Sequence, residues 1–116
     1  MNTMLTTDQN NLLAELFRLL GDATRLRIVF ACLDHPVAVG DIAMELALSP
    51  SLVSHHLRLL RSARVVRAER QGKHVFYVAA DEHIRSVLKQ LAEHVGEPAD
   101  LGEAEDLEPL ADAGGR

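Results

Sequence analysis

Four residues near the end of this chain have the types and spacing of a metal site: Asp81-Glu82-His83, ten intervening residues, then His94-Val95-Gly96-Glu97. Carboxylate oxygens and neutral imidazoles are ligands that zinc takes at about 2.0–2.2 Å. His83 and His94 lie eleven residues apart. On a helix that is about 16 Å along the axis, so one helix cannot bring both to a single ion. Two copies packed antiparallel about a two-fold can, because facing residues then have numbers that add to a constant. The pair 83 and 94 and the pair 81 and 97 come within one of the same total. Symmetry then predicts two equal sites, each with Asp81 and His83 of one chain and His94 and Glu97 of the other. Two carboxylates balance a divalent charge and two imidazoles complete a closed four-coordinate shell, which suits Zn(2+), with Co(2+) or Ni(2+) as further candidates. The competing reading is local: Asp81 is also a good helix cap, and Gly96 weakens the turn that carries Glu97.

A second group of residues has the chemistry of nucleic-acid contact. Ser51, Ser54, His55 and Arg58 share one face of a predicted helix at about 100° per residue. Hydroxyl, imidazole and guanidinium groups donate to base edges and phosphates, and Ser51, Ser54 and His55 are the base-reading candidates. Arg58, Arg61, Arg67, Gln71, Lys73 and His74 suit backbone positioning, whereas His56 reads as a partly buried filler. The chain's net charge of −5 argues against such a partner, but it is unevenly spread. Residues 46–78 carry a net +5 between acidic ends of −3 and −7. Counterion release by that basic middle is the driving force for DNA binding.

The elements that must position these groups follow from periodicity and punctuation. Leu12, Leu13, Leu16, Phe17, Leu19 and Leu20 recur at helical spacing, with Gly21 as a left-handed terminal glycine. Asp22 caps a second helix through Cys32, stopped by Asp34-His35-Pro36. Val39–Leu46 is a short helix with Ile42, Ala43 and Leu46 inward. Ser49 and Pro50 then start a helix to Ser62 with Leu52, Val53, Leu57, Leu59 and Leu60 available for the core. Val65–Arg70 and His74–Val78 form a hairpin around Gln71-Gly72-Lys73. Asp81 opens a last helix striped by Ile84, Val87, Leu88, Leu91 and Val95, and the antiparallel crossing falls at the level of Leu88 and Lys89.

The fold class expected is mainly α with a small β-hairpin, a winged helix-turn-helix acting as a homodimer. With 116 residues the chain holds one domain, read as 1–97, followed by an acidic tail at 98–116 expected to be disordered. No apolar run reaches the ~20 residues of a membrane span, and the N-terminus lacks a secretory pattern. The single cysteine, Cys32, makes no internal disulfide and reads as a small core residue. A cytoplasmic protein without a membrane partner is expected.

The runs Leu16–Ile28, Val39–Ala43, Leu52–Leu60 and Arg70–Tyr77 resemble the ArsR/SmtB family of metal-responsive bacterial repressors, over about residues 12–97. The resemblance implies a dimeric winged helix-turn-helix repressor of double-stranded operator DNA. Asp81, His83, His94 and Glu97 also match the zinc-sensing signature that part of the family carries on its last helix. Thiolate-type sensors carry cysteines near the start of the third helix, where this chain reads Val37-Ala38-Val39-Gly40-Asp41. Nickel and cobalt sensors tend to recruit terminal histidines, and neither 1–9 nor 98–116 contains one. The resemblance further implies a route from a ligand imidazole to a backbone carbonyl near Arg64, and control of zinc efflux or sequestration genes.

The function expected is release of operator DNA when metal binds at the dimer interface. The alternatives are a winged-helix regulator with a structural metal or a non-metal or redox inducer, a nickel/cobalt sensor, and a metal-activated repressor. An enzyme is not expected. A zinc hydrolase would need an open coordination position and a neighbouring base, and the sequence offers no nucleophile or oxyanion constellation and no small-molecule substrate site.

Overall fold

A computed structural model describes residues 4–97. The expected tail at 98–116 lies outside the described residues. Five helices and three short strands run in the order α1 Thr7–Leu20, α2 Ala23–Ala31, β1 Val37–Ala38, α3 Val39–Leu46, α4 Pro50–Ser62, β2 Val66–Gln71, β3 His74–Ala79 and α5 Glu82–Gly96.

Side-chain caps set most of the helix starts. Thr6 and Gln9 form a reciprocal capping box at α1, each side chain accepting from the other's backbone N–H at 2.9–3.0 Å. Asp22 accepts from the Arg25 N–H at 2.9 Å and Asp81 from that of Ile84 at 3.0 Å. Ser49 accepts from Leu52 at 3.1 Å, and Pro50 occupies the first turn, where its missing N–H costs nothing. Gly21 differs from expectation: it ends α1 at φ −73°, a right-handed conformation. Its value is space, since a Cβ there would sit 3.3 Å from the Phe17 carbonyl oxygen.

The turn between α3 and α4 is tight because Ala47 adopts φ 59° and the Leu48 N–H reaches back to the Ala43 carbonyl at 2.9 Å. The hairpin pairs Val66 with Ala79 through Gln71 with His74, and Gly72 at φ +64° supplies the positive φ of its two-residue turn. β1, which periodicity does not disclose, adds a third strand by pairing Val37 with Tyr77 and Ala38 with Phe76, giving the order β1-β3-β2.

The core is aliphatic: Ile28, Val29, Ile42, Val53, Leu57, Leu60, Val65 and Cys32 are fully buried. Along α4 the inward stripe is Val53, Leu57 and Leu60, spaced by four and three. Leu52 and Leu59, expected in the core, are 39% and 38% exposed because they lie on the flanks of that stripe. Leu88 is the one buried residue of α5, while Val87, Leu91 and Val95 remain exposed.

Candidate DNA-reading face and metal centre

The helix-turn-helix turns a polar face of α4 outward. Ser51, His55, Arg58 and Arg61 are exposed and Ser54 is half-buried. The burial of Val53, Leu57 and Leu60 on the opposite side fixes which way this face points. At the tip of the hairpin Gln71, Lys73 and His74 are exposed, with the His74 ring edge-on to Phe76 at 6.4 Å. Arg67, expected to contact the DNA backbone, is also engaged within the chain. Its guanidinium donates to the Ala79 and Ala80 carbonyls, both at 3.2 Å, and pairs with Glu69 at 2.6 Å.

Sequence reasoning missed Arg25, because nothing in its periodicity marks it. Its Nε donates to the Leu19 carbonyl at 2.7 Å and its Nη1 reaches His56 Nδ1 at 3.4 Å, so it joins α1, α2 and α4. A guanidinium only donates, which requires Nδ1 to be the unprotonated nitrogen. Burial, then the nearby Arg25 charge, lower the His56 pKa and favour that neutral form. His56 is therefore a packing residue on the inner side of the reading helix. Cys32 is likewise structural: burial pushes its thiol up to about 12, and Sγ points at the Ile28 carbonyl, 3.4 Å away.

The four candidate metal ligands divide between the ends of α5. Asp81 Oδ1 lies 3.8 Å from His83 Nδ1. Two ligand atoms at about 2.0–2.1 Å from one tetrahedral ion are about 3.3 Å apart, so this pair is close to a coordinating arrangement while Asp81 still caps the helix. The His83 side chain is 96% exposed. At the other end His94 falls in the last turn and Glu97 is the C-cap, its N–H donating to the His94 carbonyl at 3.4 Å. On a wheel of about 100° per residue, His83 and His94 differ by only about 20°, and Val87 lies within about 40° of both. Among the described residues, no three His, Cys, Asp or Glu side chains of the single chain converge on one point.

At the level of Leu88 and Lys89, where an antiparallel crossing is expected, neither side chain is free. Leu88 turns into the chain's own core, and Lys89 Nζ pairs with Asp34 at 2.8 Å. Arg85 pairs with Glu82 and donates to the Leu33 carbonyl at 3.1 Å, pinning the first turns of α5 to the turn that follows α2. The apolar surface left open is instead Val87, Leu91 and Val95. Leu91 and Val95, with Leu26, Phe30, Leu88 and Ala92, border a groove of about 380 Å³.

A helix-turn-helix with an outward polar reading face, followed by a β-hairpin wing, defines a winged-helix DNA-binding regulator. Residues 22–68 match the model of the bacterial regulatory protein arsR family. The chain is 38% identical over 94 residues to the transcriptional repressor SmtB homolog of Synechocystis, covering 81% of this chain and 71% of that protein. It is 38% identical over 95 residues to the HTH-type transcriptional regulator KmtR of Mycobacterium tuberculosis, covering 79% and 73%. The cadmium resistance regulatory protein CadC homolog of Staphylococcus aureus is 33% identical over 90 residues, covering 77% and 74%. Among solved structures, HlyU of Vibrio cholerae superposes with a TM-score of 0.72 at 24% identity, over 79% of this chain and 100% of that one. A homodimeric winged helix-turn-helix DNA-binding domain from Mycobacterium bovis gives 0.71 at 22% identity, over 82% and 90%. The chain belongs to the arsR family of bacterial transcriptional regulators, and it is a regulator and not an enzyme. No helix among the described residues is long and apolar enough to cross a membrane.

Proposed function

We propose that this chain is a cytoplasmic, zinc-responsive repressor that binds operator DNA as a metal-free homodimer and releases it when zinc occupies two sites between the α5 helices. Residues 1–97 form the working unit, and 98–116 are an acidic tail outside it. The observation that carries the reading is on α5: two donor pairs at its opposite ends, on the flank of an apolar stripe that the chain leaves uncovered. A second α5 laid antiparallel on Val87, Leu91 and Val95 buries that stripe and brings Asp81 and His83 to His94 and Glu97 of the partner. A relative named as a repressor supports the direction of control, and one named for cadmium resistance supports a metal signal. The nitrogen and oxygen donor set, with the only cysteine buried in the core, favours zinc over a thiophilic ion.

Zinc held by Asp81 and His83 of one chain and His94 and Glu97 of the other would supply a tie between the two chains. The protein's residues do the rest. The α5 pair sets the separation of the two α4 helices, and two half-sites on DNA accept a separation of about 34–36 Å or a multiple of it. Ser51, Ser54 and His55 read bases at each half-site, while Arg58, Arg61, Gln71, Lys73 and His74 hold the backbone. An effector shifts this equilibrium only through differential affinity, and moving it from 1:99 to 99:1 takes about 5.5 kcal/mol. The test is fluorescence anisotropy on a labelled duplex from upstream of the chain's own gene, with zinc added and then removed by chelator. Reversible release in the wild type, and DNA binding without release in His83→Ala, is the expected result. Tight binding that zinc leaves unchanged refutes the sensor.

A further inference from the structure

Arg67 links the wing to the segment before α5. Arg67 stands in β2, opposite Val78. Its Nη1 donates to the carbonyls of both Ala79 and Ala80, the two residues immediately before Asp81, and its Nη2 is held by Glu69 of its own strand. The same short segment is fastened twice more: the Ala79 N–H donates to the Cys32 carbonyl at 3.0 Å and the Ala80 N–H to that of Val65 at 2.9 Å. Asp81 and His83 are thus joined to the wing by a side chain of the wing itself.

We propose that Arg67 is a positioning residue that couples the ligand-bearing end of α5 to the wing, so that a change in the set of Asp81 and His83 reorients the hairpin carrying Gln71, Lys73 and His74. This deepens the zinc-sensor reading and rests on it. A planar guanidinium places one nitrogen on the two carbonyls and another on the carboxylate at the same time, whereas lysine has a single nitrogen that cannot occupy both positions. The connection is also short. From the Ala80 carbonyl to the cap of α5 is one peptide, and from Arg67 to the turn at Gly72 is a single uninterrupted strand paired throughout with β3. A rigid ladder transmits a displacement at its base to its tip.

The rival assignment of Arg67 is a phosphate contact, and the two predict different outcomes. Wild type, His83→Ala, Arg67→Ala and Arg67→Lys are compared by anisotropy on the upstream duplex over a salt series, with and without zinc. Zinc affinity is measured separately against a chromophoric chelator. The expected result is that both Arg67 variants bind the duplex without zinc to within about threefold of wild type and with an unchanged salt slope, since a lost phosphate contact lowers that slope by about 0.9. Both also bind zinc as wild type does, yet zinc releases them at least about tenfold less effectively, within the 5–150-fold range of ordinary coupling. A weakened metal-free complex with a smaller slope, restored by lysine, overturns the proposal in favour of a phosphate contact. Release of Arg67→Ala equal to wild type overturns it also. Wild type that zinc fails to release removes the sensor reading and this inference with it, and is recognised because the failure then appears in the unsubstituted protein.

Discussion

A mixed dimer separates a site built across two chains from one built within a chain. The eleven residues between His83 and His94 span about 16 Å of helix, whereas two bonds to one zinc reach only about 4 Å. A His83→Ala homodimer therefore loses one imidazole from each of its two sites, as does a His94→Ala homodimer. A dimer with one chain of each kind has one site lacking both imidazoles and one with all four ligands intact. Loss of outer-shell partners alone costs 10–100-fold in metal affinity, so loss of a direct ligand should cost more than about 100-fold. If chains re-pair at random, half of the dimers are mixed and the tight zinc capacity of the mixture is about one quarter of wild type. Each variant alone should show almost none. The assay is competition with a chromophoric chelator, before and after mixing. A mixture identical to its separate variants, with subunit exchange verified by mass, refutes the cross-chain geometry.

Four further outcomes test the fold and the reading face. Leu57→Ala, at a fully buried position in α4, should lose about 2–5 kcal/mol in urea denaturation. Cys32 should resist iodoacetamide in the folded protein and react in urea, as followed by intact mass. Because burial raises the thiol to about 12, the unfolded chain loses its proton first, from about pH 8.5, and the folded chain keeps it. Stability should accordingly fall as pH rises through that window, and Cys32→Ala should flatten the fall in denaturation curves taken at about pH 8 and about pH 10. Arg58→Ala should weaken DNA binding and reduce the salt slope by about 0.9 for each phosphate contact removed, measured by anisotropy.

Much of the architecture is legible because local chemistry marks it. Asp22, Ser49-Pro50 and Asp81 each announce a helix start through a side-chain oxygen or a pre-set φ, and the structure uses all of them as caps. The hairpin is marked by β-branched and aromatic runs around Gly72. What escaped depends on tertiary neighbours. Two residues cannot display a period, so β1 is visible only through its pairing with β3. Leu52 and Leu59 read as core by hydrophobicity, but the burial of a flank residue depends on what packs beside it. Arg67 carries the same charge as Arg58, and its bonds to the Ala79 and Ala80 carbonyls are visible only in the folded chain. For the metal site, residue types and their spacing along α5 are in the sequence. Which flank of the helix stays open is not, because Leu88 and Val87 are equally apolar and only packing sends one inward.

The two halves of the proposed metal site differ in how much order they already possess. Asp81 is fixed as a cap by the Ile84 N–H, and the residues before it are held by Arg67, Cys32 and Val65, so the Asp81–His83 pair stands at 3.8 Å without help from a metal. His94 lies in the last turn of α5 and Glu97 is its C-cap, on either side of Gly96, where the terminal carbonyls lack helical partners and glycine adds backbone freedom. On the proposed reading, Asp81 and His83 of one chain and His94 and Glu97 of the other would hold the ion, which would tie the C-terminal end of one α5 to the N-terminal end of the other. Ordering confined to this loose end would leave each wing undisturbed. On the proposed reading the ion would therefore act on DNA geometry through Asp81 and His83, whose preceding backbone is held by Arg67 of the wing.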